Sequence, residues 1–158
     1  MAQSAQYLTL GIDGELFGID IAHVREILDM RPISKLPHAP DFLLGMIDVR
    51  GTGFPIVDLR TKLGLPRVPA TEATRIIILD VPLSGRTMGV GFVADRVFEV
   101  TGLDTAETEA APDVGGRWRS NYIAGIGRKG EAFVIVLDLG RFMADTQVPG
   151  AAPADVAA

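Results

Sequence analysis

Two histidines, a scatter of aspartates and one glycine-flanked arginine carry most of the chemistry this chain could perform. His23 and His38 are its two imidazoles. A nucleophilic mechanism needs such a base beside a serine, threonine or cysteine, together with an orienting group. Neither histidine sits in a recognisable nucleophile motif, so both are expected to be surface or loop residues. Asp48, Asp58, Asp80, Asp95 and Asp138 are of the type that holds metals or cleaves glycosides. Each falls beside a strand end, a hairpin or a helix start, where an aspartate has a local use. Gly89-Val90-Gly91 is a lone Gly-x-Gly without the βαβ setting of a phosphate cradle. Arg117-Trp118-Arg119 could stack on a nucleotide, but a net charge of −5 argues against a polyanion partner. There is no cysteine, so disulfides and thiolate zinc sites cannot form. The expectation is a protein with no catalytic residue, no cofactor and no metal.

Recognition chemistry is better supplied. Gly45 to Arg60 reads GMIDVRGTGFPIVDLR. Met46, Ile47 and Val49 form one apolar strand, and Phe54, Ile56 and Val57 form a second. Arg50-Gly51-Thr52-Gly53 between them can supply the positive-φ positions of a tight hairpin. Arg50 is then held at an exposed corner, where its planar fork suits carboxylates and backbone oxygens. Val24-Arg25-Glu26-Ile27 is the other such place: packing accounts for Ile27 and Val24, but Glu26 is left pointing outward near a β edge.

The elements that position these residues are short strands. Tyr7 to Ile12 alternates, Asp13-Gly14 turns the chain into Leu16 to Ile19, and Asp20 caps one helical turn. Glu26 to Met30 resumes as a strand. Pro32, Pro37 and Pro40 keep the following loop extended. Asp58 is a good N-cap and Gly64 a good terminator, which predicts a short helix over Leu59 to Leu63. Arg75 to Val81, Met88 to Ala94, Arg96 to Val100 and Ala132 to Leu137 read as further strands. From 146 to 158 the Ala/Pro-rich composition has little to bury and predicts a disordered tail. No run of about 20 apolar residues occurs, and the first residues lack the pattern of a signal peptide, so a cytoplasmic protein without membrane insertion is expected.

An internal repeat is also visible. Gly18, Ile19, Val24, Glu26 and Ile27 return 73 residues later as Gly91, Phe92, Val97, Glu99 and Val100. Gly45, Ile56, Asp58 and Leu59 return 80 residues later as Gly125, Val136, Asp138 and Leu139. A duplication into two related small barrels sharing one core follows, the first over about 5–79 and the second over about 80–145. The fold class expected is all-β with a few short helices.

GIDIAHVREI (Gly18 to Ile27), PHAPDFLLGMIDVRG (Pro37 to Gly51), FPIVDLR (Phe54 to Arg60), MGVGFVADRVFEV (Met88 to Val100) and NYIAGIGRKGEAFVIVLDL (Asn121 to Leu139) together resemble the CheW family of chemotaxis coupling proteins. The five blocks lie in the family's order and span nearly the whole chain short of the tail. The resemblance implies two intertwined SH3-like or OB-like barrels over 5–145 and an adaptor without catalysis. It implies three partners: the cytoplasmic hairpin tip of methyl-accepting chemoreceptors, the regulatory domain of a CheA-type histidine kinase, and other CheW-like proteins in rings at membrane-associated arrays. Carried over by motif, Val24, Glu26, Ile27, Gly45, Asp48, Arg50 and Gly51 belong to the receptor-facing segments. Val90, Phe92, Val97 and Val100 belong to the apolar groove between the barrels. Glu109, Asp113 and Val114 belong to the stretch expected to face the kinase.

The chain departs from the family's habits in places. Asp48-Val49-Arg50-Gly51 stands where Asn-Leu-Arg-Gly is common, and Gly53 replaces an aliphatic residue. Asp48 adds a negative charge beside Arg50, with which it can pair internally. Glu109 and Val114 replace a basic residue and an aromatic, as in a specialised paralogue. Service in a pilus or other motility pathway is the neighbouring alternative; a nucleic-acid-binding barrel and a small-ligand-sensing barrel are the more distant ones.

Overall fold

The structure, a computed structural model, describes residues 6–83, 85–103 and 122–144. The tail drawn over 146–158 and the residues Glu109, Asp113 and Val114 lie outside the described residues. The described chain forms ten strands and two short helices. The strands are β1 (Gln6–Ile12), β2 (Glu15–Asp20), β3 (Val24–Asp29), β4 (Leu43–Val49), β5 (Thr52–Asp58), β6 (Arg75–Leu83), β7 (Arg86–Ala94), β8 (Arg96–Gly102), β9 (Ile123–Lys129) and β10 (Ala132–Leu137). The helices are α1 (Leu59–Lys62) and α2 (Leu139–Ala144).

Local chemistry explains most boundaries. Asp20 accepts a hydrogen bond from the Ala22 amide at 2.9 Å and starts a single 3-10 turn before β3. The Asp58 carboxylate accepts from the Arg60 amide at 3.2 Å and caps α1, which ends where Gly64 takes a φ of 85°. Asp138 does the same for α2, accepting from the Arg141 amide at 3.0 Å. Two elements differ from the sequence expectation: β9 and α2 were not anticipated. Gly125 and Gly127 hide the alternation of β9, and Gly140 breaks a helical signal that Leu139, Phe142 and Met143 otherwise carry.

The strands assemble into two curled five-stranded sheets, which close as small barrels. Barrel A has the order β8-β1-β2-β10-β9 and barrel B the order β3-β6-β7-β5-β4. Neither barrel comes from one half of the chain. Barrel A takes β1 and β2 from the first half and β8, β9 and β10 from the second, whereas barrel B takes β3, β4 and β5 and completes itself with β6 and β7. The two copies therefore join in the connection 63–74, and the division drawn near residue 79 cuts through β6. The exchange is symmetric to the residue. β10 runs parallel to β2 with Val136 opposite Gly18, and β5 runs parallel to β7 with Ile56 opposite Gly91. Those are the residues the sequence repeat relates to one another.

Alternation sorts the side chains into three cores. On β6, Ile77, Leu79 and Val81 face the space between the sheets, with Leu8, Leu10 and Ile12 of β1 opposite them. Ile76 and Ile78 point the other way and join Ile47, Val49, Phe54 and Ile56 inside barrel B. Leu103, Val134 and Val136, with Tyr7 and Leu16, line barrel A. The shared core also buries Phe92 and Phe142, whose rings meet edge-on at 5.4 Å. Each such fully buried aliphatic or aromatic side chain contributes roughly 1.5–3 kcal/mol, so this shared layer dominates the stability of the molecule.

A buried polar latch joins the copies. Arg60, on α1, is 8% exposed. Its guanidinium donates to Asp95 Oδ2 at 2.6 Å, to Asp13 Oδ1 at 2.9 Å and to the Pro66 carbonyl at 2.9 Å. Asp95 Oδ2 also accepts from the Asp13 amide at 2.7 Å. Asp13 turns the β1–β2 hairpin, and Asp95 sits where the chain crosses from β7 to β8. Burial works against the charge of Arg60, but the hydrogen bonds and charges of the two aspartates outweigh it and hold its pKa above the ordinary arginine value.

Candidate functional site

The β4–β5 hairpin is closed by a two-residue turn. Arg50 (φ 50°) and Gly51 (φ 90°) occupy its centre, with Val49 opposite Thr52. Two consecutive positive φ values match the twist of the flanking strands, and a non-glycine residue accepts such a conformation only where its surroundings require it. Thr52 and Gly53, assigned to the turn from sequence, are already strand residues. Asp48 Oδ2 accepts from the Gly51 amide at 3.4 Å, so its carboxylate braces the turn.

Arg50 does not pair with Asp48. Its guanidinium reaches across to Glu26 of β3 in a two-pronged contact, Nη1 to Oε2 at 3.3 Å and a closer bond from Nη2 to Oε1. β3 and β4 are the two edges of barrel B, so this pair spans the line along which the barrel closes. The Arg50 side chain remains 72% exposed and that of Glu26 26%. Bonding to Arg50, with the added positive charges of Arg50, Arg31 and Arg25, holds the Glu26 carboxyl below the usual glutamate value. Glu26 in turn raises the pKa of Arg50. Beside them Arg25 pairs with Asp80 at 2.5 Å and lies over the Phe54 ring at 5.3 Å, stiffening the same edge. Barrel A repeats the device: Lys129, at the end of β9, pairs with Glu99 of β8 at 2.5 Å, and Glu99 is the repeat partner of Glu26.

The apolar members of the predicted site fall into two groups. Val24 and Ile27 pair with Leu79 and Ile77, and Val97 and Val100 pair with Leu10 and Leu8. Registered partners share a face, so all four lie at the margins of the inter-barrel core. Ile27 is 41% exposed and Val100 47%, while Val24 and Val97 are half-buried. Val90 and Phe92 are a correction: both are 0% exposed in the shared core, so they shape the groove from behind and offer a partner no surface. Gly45 is a second correction. Its φ is 147°, and a Cβ there would stand 2.0 Å from the Ser34 carbonyl oxygen. Its work is to let residues 30–42 lie against β4, where Ser34 and Met46 exchange hydrogen bonds at 2.9 and 2.8 Å. Asp48, Arg50 and Gly51 are exposed.

Sequence reasoning found Arg50 and Glu26 separately but not their pairing, since they are 24 residues apart and meet only when barrel B closes. The Arg60 latch was missed as well, because nothing in the order of residues brings Asp13 and Asp95 to one guanidinium. Among the described residues, no group of three or more His, Asp or Glu is placed to hold a metal, and no helix is long and apolar enough to cross a membrane.

Two interleaved barrels, with a braced and ion-paired edge beside exposed aliphatic residues, define a contact-making scaffold. Comparisons place it among known proteins. A family model described as a CheW-like domain matches residues 6–147. The chemotaxis protein CheW of Klebsiella aerogenes is 30% identical over 143 residues, covering 90% of this chain and 84% of the relative. CheW of Rhizobium meliloti is 28% identical over 134 residues, covering 80% of this chain and 84% of the relative. The crystal structure of the scaffolding protein TtCheW from Thermoanaerobacter tengcongensis superposes with a TM-score of 0.77 at 27% identity, over 89% of this chain and 93% of that one. The chain belongs to the CheW family of non-catalytic chemotaxis scaffolds.

Proposed function

We propose that this protein couples the cytoplasmic hairpin tip of methyl-accepting chemoreceptors to a CheA-type histidine kinase in signalling arrays. The observation that carries the proposal is the Arg50–Glu26 pair, fixed by a positive-φ turn on one side and an edge strand on the other. Val24, Ile27, Val97 and Val100 supply apolar margins on which a helical hairpin could rest, and Arg50 supplies an orienting charge beside them. A small hot spot of this kind suits a transient interface, which often buries less than about 1,200 Å². Many copies side by side would then strengthen weak contacts by roughly 10²–10⁴. The kinase and neighbouring CheW-like proteins would meet the barrel ends, with the adaptor recruited from the cytoplasmic side to membrane-associated arrays. Receptor state would reach the kinase as a shift in population, with no chemistry in the adaptor.

The test is reconstitution of a receptor signalling fragment, a CheA-type kinase and this chain. Arg50→Glu should leave the thermal melt near that of wild type yet abolish receptor-dependent control of kinase activity. The swap Arg50→Glu with Glu26→Arg rebuilds the pair in reverse and should restore the edge without restoring control. Normal control by either folded variant would remove Arg50 from the site.

A further inference from the structure

Among the described residues, barrel B is the more fully packed and barrel A carries a cleft, although the two are built from copies of the same unit. Where barrel B sets Ile78, Val49 and Phe54 on its inner face, the corresponding positions of barrel A hold Thr9, Lys129 and Val134. The Phe54 ring packs so closely over Gly89 that a Cβ there would meet it at 2.7 Å. In barrel A the smaller and more polar set borders a cleft of about 730 Å³, within the range of roughly 300–1,000 Å³ used for small-molecule sites. Its described walls are Thr9, Leu16, Val97, Phe98 and Glu99, with Arg75, Arg96, Lys129 and Ala73 around them.

The charge around this cleft opposes that of the whole chain. Three cations (Arg75, Arg96 and Lys129) stand against two carboxylates (Glu99 on the wall and Asp29 behind Arg75), a local balance of +1 in a protein of net charge −5. Two of the cations are committed. Arg75 donates to the carbonyls of Glu72 and Thr74 and lies 3.5 Å from Asp29, and Lys129 holds Glu99. Arg96 stacks on the Phe98 ring at 5.8 Å, and among the described residues it has no carboxylate partner. Stacking leaves the N–H edge of a guanidinium available to an anion. Phe98, 49% exposed, adds an aromatic wall directly beside that edge. The Thr9 hydroxyl is occupied at both ends by the Glu99 backbone, at 2.8 and 3.2 Å, which keeps β8 in place as the far wall.

We propose that the cleft of barrel A binds a small amphipathic monoanion, an aromatic or branched aliphatic acid, with its body against Leu16 and Phe98 and its charge met by Arg96. This is a ligand function separate from docking at the Arg50 edge.

The test uses 8-anilinonaphthalene-1-sulfonate as the probe, titrated by fluorescence into the full chain at low salt. N-phenyl-1-naphthylamine, a similar apolar body without the charge, is the counter-probe. The sulfonate should bind saturably at one site and at least about tenfold more tightly than the uncharged probe, as expected when one charge-assisted contact is made. Arg96→Glu and Phe98→Ala, both at exposed positions, should weaken sulfonate binding about tenfold with the thermal melt retained. Phe133→Ala, which removes a 58% exposed ring outside the cleft, should change nothing. Equal affinity for the two probes, binding that follows Phe133 in place of Arg96, or no saturable binding would each overturn the proposal. Arg50→Glu should bind the probe normally, so the docking assignment and this one fail independently.

Discussion

Replacing Arg60 by leucine tests the buried polar latch between the two copies. The change removes donors to Asp13, Asp95 and the Pro66 carbonyl while keeping an aliphatic body in the same space. Removing one member of a fully buried ionic group costs about 3–5 kcal/mol, because its partners are left charged and dry. Here the Asp13 side chain is 52% exposed and that of Asp95 32%, so both recover part of their hydration. The loss should therefore sit near the bottom of that range, at about 3 kcal/mol. For a chain of this length, that corresponds to a fall in Tm of roughly 6–12 °C. Urea unfolding followed by circular dichroism measures it directly. A double-mutant cycle with Asp95→Asn should show a coupling of at least about 1 kcal/mol, as groups within one network do. Asp95 carries the cycle better than Asp13, since its carboxylate also accepts the Asp13 amide. A loss under about 1 kcal/mol, or a coupling near zero, would show that the Arg60 latch adds nothing to the strand ladders and apolar layer that join the copies.

Two further outcomes follow from the docking edge. Gly45→Ala drives a methyl group into the Ser34 carbonyl at an unfavourable φ and should cost at least about 4 kcal/mol, seen as a large drop in the urea midpoint; a change under about 1 kcal/mol would mean that residues 30–42 do not lie against β4. Glu26 should titrate below the ordinary glutamate value by carbon-detected NMR, and return towards it in Arg50→Ala. The sign is fixed by that direction. Because the folded carboxyl binds its proton less readily than the unfolded one, the tie is fully present above the unfolded pKa and is lost as pH falls through the folded value. An unchanged Glu26 titration in Arg50→Ala would refute the pairing.

Much of the architecture was written locally. Asp13-Gly14, Asp20, Asp58 and Gly64 each mark a boundary through a hydrogen bond or a backbone conformation available to few other residues. The repeat was readable because Gly18 and Gly91, and Ile56 and Val136, must fit the same parallel contact in both barrels. What could not be read is where those contacts form. A strand's alternation states which face is apolar, but not which other strand will cover it. Each copy lends β-strands to the other, so the barrels do not follow chain order, and Val90 and Phe92 became core residues in place of groove residues. The pairing of Glu26 with Arg50 and the gathering of Asp13, Arg60 and Asp95 belong to the same class, since they exist only after the edges meet.

The exchange of strands between copies has a mechanical corollary. Each barrel is stitched from strands of both copies, so pulling one copy away from the other would have to tear both sheets. The barrels themselves share no strand, and what holds one against the other is the side-chain layer between the sheets together with the chain crossings from β2 to β3 and from β7 to β8. A relay that must transmit small displacements between two clients without absorbing them would be well served by such a frame, in which the two copies move as one.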